Sequence, residues 1–260
     1  MSKVKTITSP ANDDIKAMRA LDMRKTRKET GLFLAEGLRH VIEGVENGWE
    51  LERLAYKPQL MRNTDMDRVK ESAKLCLEVN DAVLEKLSHK DNPQSVIGVF
   101  KQRLSKLEDL KPNKCIVALE QVRDPGNLGT ILRTVDGIGA DAVILIDQCC
   151  DPFSTEAVRA SMGSLFAVPI AQATKNEFIK YLEDFKGTVV GTALNDRTVD
   201  YRKIPYTQPV LLTMGNEQAG LSEDLMAALP NLVKLPMNGR ADSLNLAIAT
   251  GVMLYHMLEA

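Results

Sequence analysis

The chain has 260 residues, 44% of them hydrophobic, with 33 Lys and Arg against 35 Asp and Glu. That length gives one large domain or two small ones with an ample core, and a formal net charge of −2 excludes a strongly basic nucleic-acid coat. No apolar run approaches the roughly 20 residues of a membrane span, and Met-Ser-Lys-Val-Lys at the start lacks the apolar stretch of a signal peptide, so a cytoplasmic protein is expected. In chain order, residues 10–28 read as a helix, with Ser9 and Pro10 as start signal and Ile15, Met18, Leu21 and Met23 as a partial apolar stripe. A short strand at Phe33–Ala35 precedes a helix over Glu36–Gly48, with Leu38, Val41, Ile42 and Val45 inward and Asn47-Gly48 as the stop. Strands at Leu51–Tyr56, Leu75–Val79 and Val96–Lys101 alternate with helices at Met66–Ala73 and Asp81–Leu87, which makes a small α/β unit.

Leu104–Asn113 is polar and Pro-containing, the best linker in the chain. Beyond it, strands are expected at Cys115–Leu119, Ala142–Ile146, Val168–Ile170, Thr188–Ala193, Val210–Met214 and Leu232–Leu235, with helices between most of them. Continuous apolar strands alternating with helices predict a parallel sheet covered on both faces. The last helix, with Leu246, Ile248, Val252, Met253, Leu254 and Met257, is apolar nearly all round. Such a helix is buried in a core or against another subunit.

The chemistry-bearing residues narrow the function. Cys76, Cys115, Cys149 and Cys150 form no CxxC pair and read as reduced thiols. His40, His89 and His256 lack ligand spacing, so no metal site is expected. Gly137-Ile-Gly139 precedes a strand instead of following one, which fails the dinucleotide fingerprint. Lys3, Lys5, Lys16, Arg19, Arg24, Lys25, Arg27 and Lys28 crowd the start of the chain, and a local basic arm of this kind can bind phosphates.

Three polar segments stand where apolar strands run out: Asn127-Leu-Gly-Thr-Ile-Leu-Arg133, Met214-Gly-Asn-Glu-Gln-Ala-Gly220 and Leu235-Pro-Met-Asn-Gly-Arg-Ala-Asp-Ser-Leu-Asn245. Asn127 is placed to cap the first helix, whose inward stripe is Leu128, Ile131, Leu132 and Val135. Arg133 points off that stripe, with Gly129 one turn before it leaving space above. Gly215 allows close backbone approach of a ligand, Glu217 can hold hydroxyls or orient Arg133, and Ser222 and Ser243 read as helix caps. Asn245, in the first turn of a buried helix, needs amide partners.

These segments closely resemble the signature motifs of the SpoU, or TrmH-like, RNA ribose 2′-O-methyltransferases of the SPOUT class, over residues 114–260. The stretch Phe33-Leu-Ala-Glu-Gly-Leu-Arg39 looks like the family's small substrate-binding domain, similar to ribosomal protein L30e. The resemblance implies an N-terminal RNA-binding domain over 1–104, a linker at 105–113, and a catalytic domain over 114–260 with a deep trefoil knot. It implies S-adenosylmethionine as cofactor, held at Gly215, Leu235 and Leu244 with Thr192, Ala193 and Leu194 alongside. It also implies active-site roles for Asn127, Arg133, Glu217, Ser243 and Asn245, a homodimer through the knotted domain, and RNA contacts from the basic arm and Arg39. Ribosomal RNA is the expected substrate. Transfer RNA, or RNA binding without turnover, are the alternatives.

Overall fold

The seven-stranded sheet that carries the three motif segments belongs to the second of two compact units. The computed structural model describes residues 3–58, 64–88 and 94–259. The chain divides into residues 1–103 with 151–167, and residues 104–150 with 168–260.

The first unit is a five-stranded sheet of β1 (Lys3–Ile7), β2 (Leu32–Glu36), β3 (Leu51–Tyr56), β4 (Leu75–Val79) and β5 (Val96–Lys101), in the order β1-β4-β3-β5-β2. β1, β4 and β3 run parallel, whereas β5 is antiparallel to β3 and to β2. The expected helix over residues 10–28 is two helices, α1 (Asp13–Ala20) and α2 (Arg24–Thr30). Asn12, not Ser9, caps α1, accepting from the Asp14 N–H at 2.9 Å. Helices α3 (Leu38–Glu46), α4 (Thr64–Ser72) and α5 (Asp81–Leu87) complete the alternation. The inward face of α3 is His40, Val41 and Gly44, in place of the expected Leu38, Val41, Ile42 and Val45. Gly44 sets that rotation, because a Cβ there would lie 2.6 Å from the Phe100 ring.

Residues 151–167 join this unit through α7 (Thr155–Ala160) and α8 (Ser164–Ala167), although the sequence places them within the C-terminal range 114–260. Aromatic packing explains it. Phe33 lies 5.0 Å from Phe153 and 6.0 Å from Phe166 between ring centroids, and the Trp49 Nε1–H donates to the Phe166 carbonyl at 2.9 Å.

Arg27 is a correction. Expected on the RNA-binding surface, it is 4% exposed and ion-paired to Asp151 at 2.7 Å. Its guanidinium also donates to the carbonyls of Leu21 and Asp22, each at 2.8 Å. A buried ion pair that loses one partner leaves a desolvated charge behind, so Arg27→Met is expected to cost about 3–5 kcal/mol. Urea unfolding measures this. A variant as stable as the parent shows that the pair contributes nothing net.

The second unit is a seven-stranded parallel sheet. It comprises β6 (Cys115–Glu120), β7 (Ala142–Ile146), β8 (Ile170–Ala173), β9 (Thr188–Thr192), β10 (Val199–Asp200), β11 (Val210–Met214) and β12 (Asn231–Lys234), in the order β10-β12-β9-β11-β6-β7-β8. The expected linker is part of this unit: Ser105 bridges to Ala171, and a 3-10 turn spans Leu107–Asp109. Asp141 anchors the first strand, its carboxylate accepting from the N–H groups of Asn113, Lys114 and Cys115. β8 begins at Ile170, later than expected, because Pro169 has no N–H for the ladder.

One face of this sheet packs Ile116, Ala118, Ile144 and Leu211 against Phe178, Leu225 and Leu229, from α9 (Lys175–Asp184), α10 (Glu223–Ala228) and the residue following α10. α6 (Pro125–Ile138) buries its expected stripe of Leu128, Ile131, Leu132 and Val135 and packs against α11 (Leu246–Glu259). Each of those four side chains contributes roughly 1.5–3 kcal/mol by leaving water.

Candidate active site

In a parallel sheet all carboxyl ends lie on one edge, where ligands bind, and the three motif segments leave from that edge. The first follows β6. Asp124, not Asn127, caps α6, its carboxylate accepting from the Asn127 N–H at 2.6 Å. Pro125 at the first helical position fits the same start. Asn127 therefore lies inside the first turn, with its side-chain amide available for other partners.

Those partners come from the other two segments. Asn127 Nδ2 donates to Glu217 Oε1 at 3.1 Å, and Asn245 Nδ2 donates to Asn127 Oδ1 at 2.9 Å. Asn245 is also the cap of α11, its Oδ1 accepting from the N–H groups of Ala247 and Ile248 at 2.9 and 3.3 Å. Three of the five expected active-site residues thus form one hydrogen-bond chain across sequence separations of 90 and 118 residues.

The segment after β11 folds back tightly. Asn216 and Gly220 exchange backbone hydrogen bonds at 3.0 and 2.9 Å, and Asn216 Oδ1 accepts from the N–H groups of Gln218 and Ala219. Gly220 takes φ 70°, a conformation that favours glycine. Ser222 stands at the start of α10 but makes no side-chain cap bond. Its N–H instead donates to the buried Glu120 carboxylate at 2.7 Å.

Arg133 is exposed on α6, as its angular position predicts. Among the described residues it makes no hydrogen bond or ion pair. Gly129, one turn before it, is buried. Ser243 is exposed in the loop before α11 and outside the hydrogen-bond chain.

Residues 114–255 match the SpoU rRNA Methylase family. The chain belongs to that family. Residues 12–98 match the MRM3-like substrate binding domain. The chain is similar to the 23S rRNA (guanosine(2553)-2'-O)-methyltransferase RlmP of Bacillus subtilis, 29% identical over 98% of this chain and 99% of that one. It is 29% identical to the 23S rRNA (uridine(2479)-2'-O)-methyltransferase of Streptomyces viridochromogenes, over 92% of this chain and 86% of that one. Among solved structures, the AdoMet-bound rRNA methyltransferase from Sinorhizobium meliloti aligns with a TM-score of 0.91 and 47% identity, covering 98% of this chain and 97% of that one.

Of the cofactor residues expected of this SpoU-family chain, Thr192, Ala193, Leu194, Gly215 and Leu235 follow adjacent strand ends, since β12, β9 and β11 are neighbours, and Leu244 lies in the loop before α11. Thr192, Ala193 and Leu235 are half-buried and Gly215 is buried. Leu194 is 78% exposed and Leu244 40% exposed, with Met237 similarly open. Apolar side chains left in water at the ligand-binding edge suit contact with a flat ring of a ligand.

Thiol chemistry has little support. Burial pushes the Cys115 thiol up to about 12 and the Cys149 thiol up to about 11. Among the described residues no cluster suits a metal ion, and His89 lies outside them. No helix of the described residues is long and apolar enough to cross a membrane.

Of the expected RNA-contact residues, Lys16, Arg19, Arg24, Lys25, Lys28 and Arg39 are exposed on the first unit. Lys16 lies 3.2 Å from Asp13 and Lys25 3.9 Å from Glu29. Exposed pairs of this kind are weak, so both lysines remain able to meet a phosphate. Asp124 and Asn216 are the structural residues that sequence reasoning missed. The Asp-Pro dipeptide is a recognisable helix start, whereas nothing local to Asn216 shows that its side chain reaches Gln121.

Proposed function

We propose that the protein is an S-adenosylmethionine-dependent RNA methyltransferase acting on a ribose 2′-hydroxyl, with ribosomal RNA as substrate. The observation that carries this reading is the chain Asn245–Asn127–Glu217, which joins all three motif segments at the ligand-binding edge of the sheet. The names of the Bacillus and Streptomyces relatives support ribose chemistry and ribosomal RNA over transfer RNA.

When bound, S-adenosylmethionine supplies an activated methyl carbon. The half-buried residues Thr192, Ala193 and Leu235, the glycine at 215, and the open side chains of Leu194 and Leu244 fit that group, and these residues would hold it. The protein must then position the ribose and manage one proton. A guanidinium holds its proton at ordinary pH, so Arg133 acts as a charge-assisted donor rather than a base. It holds a phosphate beside the target and stabilises the alkoxide as it develops. The proton leaves to phosphate or water. Asn127, Glu217 and Asn245 fix the loops around the ribose, and Ser243 contacts it.

The knot inferred from the family motifs belongs to this reading, as does a homodimer. Ile248, Val252 and Tyr255 are 58%, 39% and 48% exposed on α11. Their spacing places them on one helix face, which suits burial by a second copy. The basic residues of the first unit dock the RNA, and the protein acts in the cytoplasm. The test is the transfer of labelled methyl from S-adenosylmethionine to ribosomal RNA, with 2′-O-methyl mapping in cells with and without the protein. The expected result is one ribose signal lost in the deletion strain. A methylated base in place of a methylated ribose overturns the proposal.

A further inference from the structure

A 2′-oxygen is chemically alike in every nucleotide, so ribose chemistry alone does not select a target, and sequence in RNA is read mainly from unpaired bases. Beyond the carboxyl ends of β6, β7 and β8 the second unit has an open cavity of about 650 Å³. It lies on the half of the sheet away from β9 and β12, hence away from the loops that carry Thr192–Leu194 and Leu235, whereas the Gly215 loop adjoins it. Its polar lining includes Gln121, Arg123, Gln148 and Gln172. Among the described residues none of these four side chains has a hydrogen-bond partner in the protein.

Two carboxylates also line the cavity, and both are engaged. Asp147 Oδ1 accepts from the Lys175 N–H at 2.9 Å. Glu177 Oε2 accepts from the Thr174 N–H and hydroxyl at 2.7 and 2.8 Å. The side chains with no partner at all are therefore three carboxamides and one guanidinium, beside one open carboxylate oxygen each on Asp147 and Glu177. A carboxamide presents a donor and an acceptor side by side, which matches the edge of a base. The two acids disfavour a bare phosphate in the same space.

The backbone around the cavity is also unusual. Gln121 and Asp147 take φ 51° and 56°, a left-handed conformation that is uncommon for residues other than glycine and costly for Gln. Asn216 Nδ2 donates to the Gln121 carbonyl at 2.8 Å. The residue that holds Gln121 in place thus sits between Gly215 and Glu217 of the candidate active site.

We propose that this cavity is a base-reading subsite that takes one unpaired nucleobase of the RNA being methylated. The proposal rests on the RNA methyltransferase reading above. It is tested with the full chain and its Gln148→Ala/Gln172→Ala variant, labelled S-adenosylmethionine, and total RNA from cells lacking the protein. Both glutamines are exposed, so the variant is expected to fold. The KM for RNA should rise about tenfold, the loss expected for base-edge hydrogen bonds, while cofactor affinity holds. An unchanged KM overturns the subsite. Filter retention of the same RNA separates the two readings. If the parent retains RNA without methylating it, and the variant retains less, the methyltransferase reading fails and the subsite stands. If the parent neither retains nor methylates RNA, both fall. Competition by an oligoadenylate heptamer and by an abasic heptamer distinguishes base from phosphate. The adenylate should compete better with the parent and lose that advantage with the variant. Equal competition by the abasic strand identifies a phosphate site and overturns the proposal.

Discussion

Arg133→Ala is expected to lower kcat about 10²–10³-fold, the usual loss when a preorganised donor to developing negative charge is removed. Cofactor affinity should stay within about twofold, because the loss falls on an interaction made in the transition state. The geometry supports that separation. Arg133 projects from α6, exposed and with no hydrogen bond or ion pair among the described residues. Five of the six expected cofactor residues, all but Leu244, leave from the ends of β9, β11 and β12. Arg133→Lys should also fail, since an ammonium cannot make the two parallel bonds of a guanidinium to phosphate. Steady-state kinetics with ribosomal RNA and calorimetric titration of the cofactor make the comparison. If cofactor affinity collapses in step with turnover, Arg133 belongs to the cofactor pocket.

The strands of the parallel sheet were legible because each is a continuous apolar run. Five of the six expected strands there lie within a residue of their observed bounds, and the exception, β8, was displaced by Pro169. The missed elements are edge strands. β1 is exposed at four of its five positions, so Lys3 and Lys5 read as part of a basic arm and not as the outer face of a sheet. β10 is two residues long. The placement of residues 151–167 was not legible, because Phe153 and Phe166 find their partners in Phe33 and Trp49, more than a hundred residues earlier. Arg27 was misread for the same reason: a charge in a basic run looks solvated until its partner, Asp151, is known. In the candidate site, residue types were legible and their partners were not. The sequence offered Asn127 a cap role and Glu217 a role beside Arg133. The fold instead pairs Asn127 with Glu217 and Asn245.

Gly215→Ala is expected to weaken cofactor binding more than about tenfold, for a reason that lies in the turn and not in lost ligand contacts. A Cβ at position 215 would fall 2.2 Å from the Gly220 carbonyl carbon and 2.3 Å from the Leu221 nitrogen. Both are backbone atoms, so no side-chain rotation relieves the overlap, and overpacking of this kind costs about 1–3 kcal/mol. Relief requires the 215–221 turn to open. That would break the paired hydrogen bonds between Asn216 and Gly220 and the reach of Asn216 to the Gln121 carbonyl. Glu217, held by the same turn, would then leave Asn127. A change of one methyl group therefore disturbs the expected cofactor edge, the Asn245–Asn127–Glu217 chain and the Gln121 cavity together. The expected readout is a cofactor affinity lowered by more than about tenfold, with turnover lost and the far-ultraviolet circular dichroism preserved, because the strands and helices do not depend on the turn. A Gly215→Ala protein that binds cofactor like the parent would show that the turn yields without opening, and that Gly215 serves only chain reversal.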